Sequence, residues 1–182
     1  LVLYKNSIRE SIPSSFFKLS KLETFNAALN FFTGSLSNNI NKLIALKDLT
    51  MYSNSLHGEI PSNIGQLTNL ESLILYSNKF VSTIPSSIGT LTKLKYLQLN
   101  SNELTGSIIN DLGELSNIII FDIGSNKLTG SIPSSLFDKL TNIESLKLGN
   151  NMITNMIPNT LCNLLKLTQI DLNGNMLSNS IP

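Results

Sequence analysis

The chain has 182 residues, 13 basic and 12 acidic side chains, a formal charge of +1 and 41% hydrophobic residues. Its one arginine, Arg9, leaves no arginine-rich basic stripe, so nucleic acid is excluded as the expected partner. A lone cysteine, Cys162, and a lone histidine, His57, exclude an internal disulfide and ordinary zinc ligation, and no apolar run nears the roughly 18 residues that span a bilayer.

Taken from the amino terminus, the chain repeats itself. A partial unit puts Leu1 and Leu3 in strand positions, and further units start at Leu22, Leu46, Leu70, Leu94, Ile118, Ile143 and Leu167. An asparagine marks the same place in each: Asn6, Asn30, Asn54, Asn78, Asn102, Asn126, Asn151 and Asn175. Six of the seven intervals are 24 residues and one is 25, a period that signals stacked supersecondary units and points to a working surface, not a pocket.

Each unit reads L-x-x-L-x-L-x-x-N-x-L-x-G-x-I-P-x-x-L-x-x-L-x-x. The L-x-L alternation has period two and predicts a short strand with one buried face. The asparagine follows where the chain leaves the sheet. Its amide donates and accepts, so a ladder of stacked asparagines is expected to satisfy buried turn groups. Proline, with φ fixed and no N–H, suits the extended return path, and the segment after it predicts a short helical turn on the outer side. The extra residue near Phe137, Asp138 and Lys139 is expected to loop out on that outer side.

This pattern resembles the plant-type leucine-rich repeat over essentially the whole chain. The mark of that family is the L-x-G-x-I-P stretch. Gly34, Gly58, Gly106 and Gly130 fit its glycine, while Glu10, Ser82, Asn155 and Asn179 depart from it. All six prolines fall at the family's position, and Ser37 and Ile109 depart there. The resemblance implies an α/β repeat solenoid: a right-handed superhelix with a parallel concave sheet and short, mostly 3-10 or irregular, convex turns. The expected organisation is a single domain over residues 1–182, about seven and a half repeats, uncapped at both ends. The family usually carries paired cysteines in terminal caps. With neither cap nor a signal peptide, the chain is expected to be a piece of a longer protein or to have its ends covered by partners.

Outward strand positions form columns across the stacked units. One column alternates Glu23, Lys47, Glu71, Lys95, and another reads Asp122, Lys147, Asp171; both are expected to be self-paired ladders. Ser53, Ser77, Ser101 and Ser125 form a column expected to pack under the turn. The phenylalanines Phe25, Phe32, Phe80 and Phe121 take core positions, whereas Tyr4, Tyr52, Tyr76 and Tyr96 all point outward. Surface tyrosines are hot-spot candidates, with cross-strand stacking as the alternative role. Ile74 and Ile120, with Ile119, add apolar surface beside them, and Gln98 completes the candidate partner-binding set Tyr52, Tyr76, Tyr96, Ile74, Ile120 and Gln98.

No catalytic constellation is expected. His57 and Cys162 lie four repeats apart, far beyond hydrogen-bond reach at roughly 4.8 Å per strand. The expected function is non-enzymatic recognition of a protein or peptide by the concave face, without cofactor or metal. The resemblance implies a setting among receptor-like proteins, receptor kinases or inhibitors of microbial wall-degrading enzymes. Two alternatives stay open: a bracing subunit of a larger complex, and an ice-binding repeat protein. The resemblance favours an extracellular or cell-surface location; the missing N-x-S/T sequon and the single cysteine weigh against it.

Overall fold

The computed structural model describes residues 1–182. Seven three-residue strands, Thr24–Asn26, Asp48–Thr50, Ser72–Ile74, Tyr96–Gln98, Ile120–Asp122, Ser145–Lys147 and Gln169–Asp171, form one parallel sheet in chain order. The register is one repeat throughout: Phe25 faces Leu49, Leu73 faces Leu97, and Phe121 faces Leu146. The residue at each strand's centre points inward. Those central side chains from Phe25 to Leu146 are almost wholly buried, and they join a core of 41 residues running from Phe17 to Leu164. Burial of one such side chain contributes about 1.5–3 kcal/mol, available only because a neighbouring repeat supplies the other wall.

The strands are short because the chain turns immediately after them. The residue before each ladder asparagine has φ between 51° and 58°, whether it is Lys5, Leu29, Asn150, Gly174 or one of Ser53, Ser77, Ser101 and Ser125. The serine column therefore does not pack under the turn. It occupies a left-handed backbone position and faces solvent, half-exposed at Ser53 and Ser77 and exposed at Ser101 and Ser125. A short polar residue meets that backbone requirement at less cost than a branched one.

The asparagine then ties three segments together. Asn54 Oδ1 accepts the Phe32 N–H at 2.9 Å, while its Nδ2 donates to the carbonyls of Ala27, Met51 and Tyr52 at 3.0, 3.1 and 3.3 Å. Asn102 and Asn151 repeat this set with their amides buried. The ladder expected from the spacing is present.

A feature that periodicity did not announce follows the asparagine. Short parallel pairs, Arg9–Glu10 with Phe31–Phe32, His57–Glu59 with Lys79–Val81, and Thr154–Asn155 with Met176–Leu177, run along one flank. The family's glycine sits in this flank at positive φ, and Glu10, Ser82, Asn155 and Asn179 adopt the same conformation at 67–71° without being glycine. At Gly106 a Cβ would also lie 2.7 Å from Thr83 Cγ2, so conformation and space both favour glycine there.

On the convex side seven 3-10 turns stack, Ser14–Lys18, Asn38–Lys42, Ser62–Gln66, Ser86–Thr90, Asn110–Glu114, Ser134–Phe137 and Asn159–Asn163. Proline precedes five of them with φ between −64° and −68°. It is missing before two: at one the Ser37 hydroxyl accepts the Asn39 N–H at 3.1 Å, and at the other Ile109 starts the turn in an extended conformation with no side-chain cap. The extra residue is absorbed here: the turn ends at Phe137, Asp138 takes a helical conformation, and strand register is unchanged.

Candidate functional site

The concave face has three rows of outward side chains. Counting back from the ladder asparagine, they lie six, four and two residues before it. The six candidate residues occupy all three rows. Tyr96 and Ile120 are register partners in the first, Ile74 and Gln98 in the second, and Tyr52 and Tyr76 are neighbours in the third. Together they make an oblique band that steps one strand along the solenoid for each row.

Tyr52 and Tyr76 stack with ring centroids 4.4 Å apart and planes 8° from parallel. The Tyr52 phenol also meets that of Tyr4 toward the amino terminus, a contact the sequence columns did not suggest. Ala28 lies in the row between Tyr4 and Tyr52 and is wholly buried, so the two phenols approach each other over it. Burial first, and then the neighbouring phenols of Tyr4 and Tyr76, push Tyr52 from its ordinary value of 10.0 up to about 12. Tyr96 is 37% exposed and forms no ring pair with the others. Ile74, Ile120 and Gln98 are half-buried, as is Ile119 beside them.

Further along, the same row empties. Tyr76 is followed by Asn100, Gly124, Gly149 and Asn173. Asp122 folds over this floor, its Oδ1 accepting the Gly124 N–H at 3.0 Å, and Asp171 does the same to the Asn173 N–H at 3.0 Å. This corrects the expected self-paired ladder: Lys147 stands between the two carboxylates in register but forms an ion pair with neither. Backbone N–H groups two residues on capture the carboxylates instead. Asp122 is 8% exposed, and burial raises its carboxyl above the ordinary value against the pull of the Gly124 N–H and the field of Lys147. Beside it Asn100 Oδ1 is buried with no hydrogen-bond donor.

The other charged column does pair, but as two separate couples. Lys47 meets Glu23 at 2.8 Å and Lys95 meets Glu71 at 2.7 Å. Hydrogen bonding to Glu23 raises Lys47, and hydrogen bonding to Lys95 lowers Glu71. Two further pairs lie off the concave face, Lys127–Glu103 on the flank at 2.9 Å and Lys139–Glu114 on the convex side at 2.8 Å. His57 lies on the flank and Cys162 in an outer turn, and no three His, Cys, Asp or Glu side chains converge. No helix is long and apolar enough to cross a membrane.

A sequence profile described as a leucine-rich repeat region matches residues 26–180. The chain belongs to the leucine-rich repeat family. Among solved structures it is similar to the leucine-rich-repeat ectodomain of the Arabidopsis thaliana membrane receptor kinase GASSHO1/SCHENGEN3, solved with CASPARIAN STRIP INTEGRITY FACTOR 2. The identity is 36% and the TM-score 0.93, over 96% of this chain and 21% of that one. It is also similar to the Arabidopsis receptor kinase HAESA in complex with the peptide hormone IDA and the co-receptor SERK1, at 30% identity and TM-score 0.75, over 97% of this chain and 34% of that one. A plant ice-binding protein aligns at 29% identity and TM-score 0.86, over 97% of this chain and 57% of that one. The chain thus spans between a fifth and about three fifths of these proteins. No curated protein matches it. The repeats are of the plant type, with a parallel concave sheet and 3-10 outer turns.

Proposed function

We propose that this leucine-rich repeat chain is a non-enzymatic docking scaffold whose concave face binds a peptide or an extended segment of a protein, within a receptor-like or inhibitor-like repeat protein. The observation that carries the reading is the oblique band of Tyr52, Tyr76, Ile74, Gln98, Tyr96 and Ile120, which puts aromatic and apolar surface on a face the repeat would tolerate as fully polar. The rings of Tyr52 and Tyr76 hold each other in place, so little side-chain entropy remains to be lost on binding. The likeness in fold to a receptor kinase solved with a peptide hormone, and to an ectodomain solved with a bound factor, supports the same reading.

The test is selection of peptides from a displayed random library on the intact chain, followed by titration calorimetry of the winners. Replacing Tyr52, Tyr76 and Tyr96 together with alanine should weaken binding about 100-fold or more while the circular dichroism spectrum is unchanged. Affinity that survives the triple substitution would overturn the reading.

Ice binding is supported by the ice-binding neighbour and by Thr105, Thr129 and Thr154, aligned on the flank. Two of those hydroxyls already donate to carbonyls of the preceding repeat, and Arg9, His57, Val81 and Met156 interrupt the flank, which weakens this reading. Thermal hysteresis in the absence of any peptide is its measurement.

A further inference from the structure

We infer that the concave face carries, next to the aromatic band, a subsite for a guanidinium or ammonium group of the docked peptide, formed by the Asp122 carboxylate with the side-chain oxygens of Asn100 and Gln98. This rests on the docking reading above and names one chemical requirement of its ligand.

Three observations meet at one place. Asp122 lies between the inward side chains Phe121 and Ile123, so alternation turns its carboxylate to the concave face. It is 92% buried by its surroundings, given 8% exposure, yet no cation lies within ion-pair distance: none of the four ion pairs of the chain includes it. Its one protein donor is the Gly124 N–H on Oδ1. A buried carboxylate without a countercharge is costly, and retaining one is a functional signal.

Asn100 supplies the second observation independently. Its Oδ1 is the single buried side-chain polar atom of the chain left without a partner. Asn100 lies across from Gly124 on the adjacent strand, because the Ser101 N–H bonds to the Gly124 carbonyl at 3.0 Å. It is therefore a diagonal neighbour of Asp122. Gln98 is the direct register partner of Asp122, so its amide stands on the same face one strand away. The missing component is a hydrogen-bond donor, and a positive one answers both the charge and the orphaned oxygen.

The third observation is the lining. Gly124 and Gly149 continue the row past Asn100 without side chains of their own, and the groups that border the space above them are oxygens: Asp122 Oδ1 at Gly124, and Asp171 Oδ1 and Asn173 Oδ1 at Gly149. A guanidinium fits best, since its fork of N–H groups serves a carboxylate and an amide oxygen at once, whereas an ammonium serves them as a compact point charge. Lys147 is the internal competitor. It faces Asp122 in register and lies close enough to influence its titration, but the two do not pair.

The experiment uses peptides selected on the wild-type chain. They should carry arginine or lysine at a fixed spacing from an aromatic or aliphatic residue. Exchanging that basic residue for norleucine should weaken binding about tenfold or more on the wild type and no more than about twofold on Asp122→Asn. Asparagine keeps the acceptor for the Gly124 N–H, and a matching thermal melt verifies the fold. Asn100→Ala should show the same reduced coupling to a smaller degree, and Lys147→Ala should leave the coupling intact or strengthen it. Selected peptides with no basic residue, or equal losses on wild type and Asp122→Asn, would overturn the subsite while the tyrosine result leaves docking in place. Failure to select any peptide overturns both.

Discussion

In the amino-terminal half of the molecule the row two residues before the ladder asparagine is roofed by Tyr4, Tyr52 and Tyr76; in the carboxy-terminal half the same row runs over Gly124 and Gly149. The backbone under both halves is the same, with matching register and matching left-handed turns. The difference lies in the row before it. Where that row offers Asn26, Asp122 or Asp171, the side chain bends over the N–H two residues on, and that residue is Ala28, Gly124 or Asn173. Where it offers Thr50 or Ile74, which make no such bond, a tyrosine follows. Gly149 follows Lys147, and there the Asp171 carboxylate of the next strand takes the space instead. An Asx-type bond and a bulky side chain compete for the same space above the sheet. One solenoid thus carries an aromatic roof and a bare polar floor, and a ligand crossing both would meet apolar surface first and an unpaired carboxylate next.

The largest test asks whether the two halves truly share a scaffold. Asn54→Ala and Asn151→Ala each remove an amide that serves one N–H and three carbonyls. Each should cost about 2–4 kcal/mol in urea denaturation, because the turn groups are left buried and unpaired. A much smaller loss in one half would break the equivalence. Next, Gly149→Tyr tries to extend the roof. Its Cβ would lie 2.8 Å from both Asp171 Oδ1 and Asn173 Oδ1, so a loss of about 1–3 kcal/mol is expected from overpacking. A neutral outcome would show that the floor is bare by choice of ligand and not by lack of space.

Smaller effects sharpen the contrast through titration. The Tyr52 phenol is pushed up to about 12, so the folded chain holds a proton that the unfolded chain releases near 10.0. Stability is expected to fall as pH rises between those values. Tyr76→Ala should bring the phenolate transition, followed by ultraviolet difference absorbance, back toward 10.0 and narrow that window. Asp122 gives the smallest signal. Its folded carboxyl also sits above the ordinary value, so the wild type loses stability as pH rises through the raised value. Asp122→Asn should therefore melt slightly higher than wild type at neutral pH and equal to it in acid, the opposite sign from loss of a paired carboxylate.

Much of the architecture was legible in advance. Repeat phase placed the core leucines, the asparagine ladder, the proline turns and the convex position of the extra residue, because each depends on a period and a local conformational preference. The outward direction of Tyr52, Tyr76, Tyr96, Ile74, Ile120 and Gln98 followed from alternation alone. The flanking strand pairs did not, since two- and three-residue bridges leave no periodic trace. Nor did the approach of Tyr4 to Tyr52 over Ala28, or the Asx bonds that part Asp122 and Asp171 from Lys147.

Sequence by itself determined which residues are neighbours across repeats, because equal spacing makes residues 24 positions apart adjacent on the sheet. Only the tertiary structure decided which of those neighbours bond. Opposite charges one strand apart joined at Lys95 and Glu71 but not at Lys147 and Asp122, because a backbone N–H two residues away reached the Asp122 carboxylate first.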